Sequence, residues 1–458
     1  MSLQTSIRSP LRPLPKPRSR KEVFAQRKAA ALAEPRLRMS DYWFLAGLLL
    51  ALFYIADPFH WYLEKIGPTK HLPMMILFAG VVLTNIGHWL FTPKKKQPPR
   101  HWQVLHIGLP LVLLGVWIVL GSVYARKFEG INATFATAGL YMLFAFLVAR
   151  VIVLSPARAT IVRYFLISCA IAAFFMILVM AATMHSVEVV SYHEMEALVV
   201  PIAVYFALRP MTNRHWKALL VLTFLLIGGL VFRKNTGFLV LGLTAIYLWI
   251  VEWRFRFREN GIFRLWTVLW LTVMIGVGAV AYSYIAYQRG EVMPTGNPGY
   301  RMRTYERAWE RFLESPVLGT SFTEQATEKF KGYQIKTAHG ILATHSDVLD
   351  LAAQGGVLAL LLWIWGYVRI IRFSMRRALR GRPRDDLRAA AHALACMSLT
   401  SIVVYAFNPI MLQPAKALLL WTELGMLIGI ALYLNNIEIK TAQQSTPTTT
   451  TTTSEVKK

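Results

Sequence analysis

Two stretches decide how this chain reads: YRMRTYERAWERFLESPVLGTSF at residues 300–322 and AHGILATHSDVLDLAAQGGV at residues 338–357. With the connector between them they form a long polar interval in a chain otherwise built of apolar runs. The first opens with four arginines, Arg301, Arg303, Arg307 and Arg311, and the second carries His339 and His345, where the next apolar run begins. The pattern predicts an outward-facing cap over a membrane-embedded site, the rest of the chain serving as scaffold and substrate groove.

Of the 458 residues 55% are hydrophobic and only 16% charged, the balance of a polytopic membrane protein rather than a soluble globule. Runs of about 20 apolar residues match a hydrocarbon core of roughly 30 Å. Twelve spans are expected, at 42–57, 72–92, 103–123, 132–154, 161–184, 196–208, 216–232, 236–252, 264–286, 346–368, 389–407 and 415–434. The sixth is short and holds Pro201, as a broken helix beside a cavity would. With the N-terminus inside, 35 of the 50 Lys and Arg fall on the inner face and 15 on the outer. The net charge of +26 thus follows the positive-inside rule and reports topology, not nucleic-acid binding.

The expected architecture is all-α. It has a basic inner arm (1–40), nine spans (41–286), an outer loop (287–345), three further spans (346–436) and a low-complexity, disordered inner tail (437–458). The arm lacks the apolar core of a cleavable signal peptide and suits anionic headgroups. Cys169 and Cys396 sit inside apolar runs and read as small core residues.

Between Pro298-Gly299 and Pro316 the spacing predicts an amphipathic helix, with Tyr305, Trp309 and Phe312 on one stripe and Leu313 beside it. Such a helix could lie against the membrane or the bundle. Arg301 flanks that stripe, whereas Arg303 and Arg307 point away, so geometry nominates Arg301 as the inward arginine; the alternative is a solvated face of a surface helix. In the short outer turn FRKNTG (232–237), Arg233 and Lys234 either snorkel or form an anion cradle, for which a guanidinium fork and an ammonium suit phosphate. His345, with Asp347 two residues on and His339 nearby, lies where a general base would meet a hydroxyl nucleophile and an anionic leaving group. No zinc-type spacing occurs, so neither metal nor cofactor is expected. The acidic stretch VEVVSYHEME (187–196) reads as a solvated loop. With no phosphate-binding loop and no serine nucleophile elbow, any reaction must use an already activated donor.

Arg301, the aromatic amphipathic helix, SPVLGTS (315–321) and THSDVLDLAAQGGV (344–357) together resemble the O-antigen ligase family: an arginine, an amphipathic helix, a Pro-x-x-Gly-x-Gly-like turn, and a His-Asn-x-x-Leu segment followed by a glycine pair. O-antigen polymerases share much of this pattern. The resemblance implies a C-type glycosyltransferase-like fold and a metal-independent glycosyltransferase at the periplasmic face of the bacterial inner membrane. Its substrates would be O-antigen on undecaprenyl diphosphate and lipid A-core oligosaccharide, both membrane-borne. His345 would then activate the acceptor hydroxyl. Arg233 and Arg301 would grip the departing diphosphate, with Lys234, Arg303, His339 and Asp347 as substrate-binding neighbours. Two positions depart from the pattern: the turn reads Gly319-Thr320-Ser321, and Ser346 stands where Asn is usual. Arg303, sixteen positions before Gly319, has the spacing associated with polymerases; Arg301 lies eighteen before it.

Two other readings compete. An O-antigen polymerase would use the same chemistry on a growing lipid-linked glycan, but the single large outer loop favours a ligase. A secondary transporter would bind an anion at Arg233, Lys234 and Arg301, but such sites lie at the midplane between inverted repeats and these charges gather at one face.

Overall fold

The computed structural model describes residues 36–56, 72–91, 102–125, 133–182, 202–208, 235–256, 297–320, 346–377, 379, 385–408, 410 and 414–445. Ten helices organise them: α1 (Met39–Ala56), α2 (Leu72–Phe91), α3 (Trp102–Ala125), α4 (Ala133–Leu154), α5 (Arg158–Ala182), α6 (Asn235–Arg256), α7 (Asn297–Glu314), α8 (Asp347–Arg377), α9 (Asp386–Phe407) and α10 (Pro414–Ser445). Residues 202–208, within the expected sixth span, are also helical. All ten but α7 coincide with predicted spans, and among the described residues there is no strand. The predicted spans at 216–232 and 264–286 lie outside the described residues.

Helices are the form a bilayer permits an open chain, because each must satisfy its own amides and carbonyls. Among the described residues α8, α9, residues 106–123 of α3 and residues 417–437 of α10 are long and apolar enough to cross a membrane. Residues 39–53, 75–91, 139–154 and 239–251 form shorter apolar helical stretches. The chain is a membrane protein, and among the described residues its regular structure is all helical, as a polytopic build requires.

The packing centres on α10, 94% of whose apolar window is buried within the bundle. It lies along α4, and Gly425 and Gly429 allow the close approach: a Cβ on Gly425 would run into the Ala145 carbonyl, and one on Gly429 would sit 2.7 Å from Ile152 Cβ and 2.8 Å from the Ala149 oxygen. Small residues four apart are the usual means of bringing membrane helices together, since lipid offers no hydrophobic drive between them. From α4 the bundle continues through α3 to α8, while α9 joins α6, α8 and α10. Between α8, α9 and α10, Trp363, Tyr367, Tyr405 and Trp421 form an aromatic cluster with ring centroids 5.0–6.4 Å apart.

At the opposite end, Asp41 ties α1 to α2. One carboxylate oxygen accepts from the Arg38 amide at 3.0 Å and the other lies 3.3 Å from Nε2 of His88, both side chains being buried.

Two boundaries differ from expectation. The expected tail from 437 is helical as far as Ser445, because IEIKTAQQ holds no breaker before Pro447. The tenth span is longer than expected and is not straight: Gly356, at φ 66°, breaks it inside α8.

Replacing Gly429 by Leu is expected to wedge α10 from α4, a strain of about 1–3 kcal/mol. Thermal unfolding of the detergent-solubilised protein should show a lowered midpoint, whereas Gly242→Leu in α6, where a Cβ meets nothing within 4 Å, should leave it unchanged.

Candidate functional site

The site is built on α7, which enters through Asn297 and Pro298 and stops before Pro316. Proline in a first turn costs no intrahelical bond, and proline beyond the last turn prevents continuation. The structure divides the predicted aromatic stripe in two. Thr304 and Ala308 are buried and Tyr305, Arg311 and Phe312 half-buried, so this sector packs against α8. Trp309 and Leu313, although Trp309 stacks on Phe312 at 5.2 Å, face outward. Glu306, Glu310 and Glu314 form a third, polar sector. At about 100° per residue, position 301 falls at the middle of the packed register defined by 304, 305, 308 and 312. Position 303 falls within the polar sector.

After Glu314 the chain makes a tight turn, Ser315 to Thr320, closed by the Gly319 amide donating to the Ser315 carbonyl at 2.8 Å. This turn docks into the break in α8. In an unbroken helix the Val357 amide would donate to the Ala353 carbonyl. Here the Val357 amide donates instead to Pro316 O at 2.8 Å, and the orphaned Ala353 carbonyl accepts from the Thr320 amide at 3.0 Å. The Leu358 amide donates to Val317 O at 3.4 Å. The Thr320 hydroxyl lies 3.3 Å from the Ala353 oxygen and 3.2 Å from Oε1 of the buried Gln354.

Both hinge points require glycine. Gly319 (φ 71°) and Gly356 (φ 66°) occupy the left-handed region, which a side chain disfavours by roughly 1–2 kcal/mol. Contact makes it stricter: a Cβ on Gly319 would overlap the Gln354 carbonyl, and one on Gly356 would overlap the Val317 carbonyl.

Above the break, residues 347–356 of α8 are almost wholly enclosed. Ser346 caps this segment, its Oγ accepting from the Leu349 amide at 3.3 Å while its carbonyl accepts from the Asp350 amide at 2.9 Å. The departure from Asn at this position is therefore mild, since serine and asparagine cap helices about equally well. Asp347 is buried, and its Oδ2 accepts from the Ile410 amide at 2.7 Å, fastening the connection between α9 and α10 to the start of α8.

Of the sequence-predicted residues, Arg301 and Arg303 thus lie on α7 and Asp347 at the start of α8. His345 directly precedes the cap residue Ser346, and Arg233 and Lys234 directly precede α6; these three, with His339, lie outside the described residues. Sequence reasoning missed the cap, the docking of the turn into the break, and the anchoring role of Asp347. Ser346 ahead of two acidic residues and the paired glycines were the available signals. Among the described residues no three His, Cys, Asp or Glu side chains group as a metal site would require.

This arrangement of arginine-bearing helix, docked turn and broken helix falls in a stretch, residues 218–364, that matches the family model described as O-Antigen ligase. Over these residues the chain is similar to the O-antigen ligase family. Among curated proteins none matches the chain. The matched stretch ends at Ile364, about two turns past the α8 break, and it contains Arg233, Lys234, Arg301, Arg303, His339, His345 and Asp347 alike. That match supports an enzyme of the ligase and polymerase type acting on lipid-linked glycans.

Replacing Ser346 by Ala should remove the cap at a cost of about 1 kcal/mol, whereas Ser346→Asn should restore it. Thermal midpoints of the two variants beside wild type check this: a drop for alanine alone is expected.

Proposed function

We propose that this chain is a ligase that transfers O-antigen from undecaprenyl diphosphate to lipid A-core oligosaccharide, at the periplasmic face of the inner membrane. The observation that carries the reading is the docked turn. It holds the helix with position 301 on its packed register against the helix that begins two residues after His345. The family match over 218–364 joins the turn that precedes α6, with Arg233 and Lys234, to the same domain. Twelve spans with both termini inside, as the charge distribution favours, put these groups on the outer face.

In this reading the acceptor hydroxyl oxygen attacks the anomeric carbon of the donor sugar. His345 takes the hydroxyl proton, the bond from that carbon to the diphosphate oxygen breaks, and the electron pair leaves with the diphosphate. A single direct displacement inverts the anomeric centre. Arg233 and Arg301 meet the growing negative charge on the leaving group, the setting in which fixed cations lower a barrier most; Lys234 adds a point charge. Arg303 and His339 line the approach of the glycan. Asp347, with one oxygen already held by the Ile410 amide, acts mainly by fixing the start of α8, two residues after His345 in sequence.

Reconstitution with lipid-linked glycan and lipid A-core tests this. His345→Ala should slow transfer by about 10²–10⁴-fold and Arg301→Ala by about 10²–10³-fold, with Arg303→Ala much less affected. Wild-type rates in both His345→Ala and Arg233→Ala would overturn the assignment. Elongation of lipid-linked glycan without core acceptor would replace the ligase by a polymerase.

A further inference from the structure

The outward sector of α7 has a destination. Trp309 and Leu313 are 54% and 59% exposed, and Val317 and Leu318 in the turn that follows are exposed too. Four large apolar groups on a short stretch of surface carry a hydration cost that a protein does not leave in place without an occupant. Their neighbours say what that occupant is.

Below Gly356, α8 changes character. From 347 to 356 it is enclosed, but from Val357 onward it exposes Val357, Leu358, Leu361, Ile364, Trp365 and Val368, one stripe at helical spacing along a helix long enough to cross a bilayer. That stripe faces acyl chains, so the hydrocarbon boundary on this side lies close to the break. The exposed turn sits at the same level, because Pro316 O and Val317 O accept from the amides of Val357 and Leu358. The turn that ends α7, with its exposed Val317 and Leu318, therefore lies beside the top of the lipid-facing stripe of α8. On the other flank of α7 comes the polar sector with Glu306 and Glu310. A helix with protein on one side, exposed apolar groups on the second and exposed charge on the third belongs at the surface of a bilayer.

We propose that α7 is seated in the outer leaflet of the membrane, with Trp309, Leu313, Val317 and Leu318 inserted at the boundary of headgroups and acyl chains. The partner is phospholipid. The seat fixes α7 in depth, holding position 301 and the Gly319 turn at the level where phosphates of membrane-borne lipids lie. This inference uses only membrane insertion and the exposed sectors, and stands whether or not His345 is a base.

Nitroxide labels on full-length protein in vesicles of phosphatidylethanolamine and phosphatidylglycerol test it, at Trp309→Cys, Leu313→Cys, Glu306→Cys and Glu310→Cys in turn. The native Cys169 and Cys396 are buried. Collision with oxygen, which partitions into lipid, is compared with collision with a water-soluble nickel chelate. The oxygen-to-nickel ratio at 309 and 313 is expected to exceed that at 306 and 310 several-fold. A ratio equal at all four positions, with free access by nickel, would put the sector in water and overturn the proposal. Low collision rates with both reagents at 309 and 313 would also overturn it, because protein, from elsewhere in this chain or a second copy, would then cover the sector. Leu313 is exposed, so the comparison of 313 with 306 and 310 carries the test if the Trp309 variant misfolds.

Discussion

One broken hydrogen bond organises the candidate site of this protein. Where Gly356 interrupts α8, the Ala353 carbonyl and the Val357 amide lose each other. An amide or carbonyl left bare inside a protein costs about 1–3 kcal/mol, and more where no water can reach. The turn from Ser315 to Thr320 supplies both replacements, Thr320 N for the carbonyl and Pro316 O for the amide. The dependence runs both ways: the turn needs the left-handed Gly319 to come close enough, and the break needs the left-handed Gly356 to open.

Much follows from that exchange. The turn is continuous with α7, so docking it aligns the packed register of α7, position 301 included, with the upper segment of α8. That segment is itself made rigid from three directions: the Ser346 cap, the Asp347 bond to Ile410, and the Gln354 and Thr320 contact. Beneath it the aromatic cluster of Trp363, Tyr367, Tyr405 and Trp421 binds α8 to α9 and α10, and the close approach of α10 to α4 carries the rigidity into the bundle. The proposed glycan-transfer site needs this kind of frame, since small misplacements of a reacting group cost large factors in rate.

The sequence made the helical architecture legible because apolar length is a strong signal: predicted spans such as 72–92 and 132–154 match α2 and α4 within a residue or two. The arginine-bearing helix was legible too, from its flanking prolines. What periodicity could not separate was which apolar side of α7 meets protein and which meets lipid, for Phe312 and Trp309 are equally hydrophobic and only the neighbouring α8 distinguishes them. Nor could it show the interlock, because a Gly-Gly pair inside an apolar run is compatible with an uninterrupted membrane helix. Asp347 misled: beside a histidine an acidic residue suggests chemistry, yet one of its carboxylate oxygens holds a backbone amide.

The most direct test of the interlock is a double-mutant cycle on Gly319→Ala and Gly356→Ala, read as the rate of glycan transfer by reconstituted protein. If turn and break form one device, either substitution alone undoes it, and the double variant should be no slower than the worse single variant. Losses that multiply would show two independent sites and contradict the account.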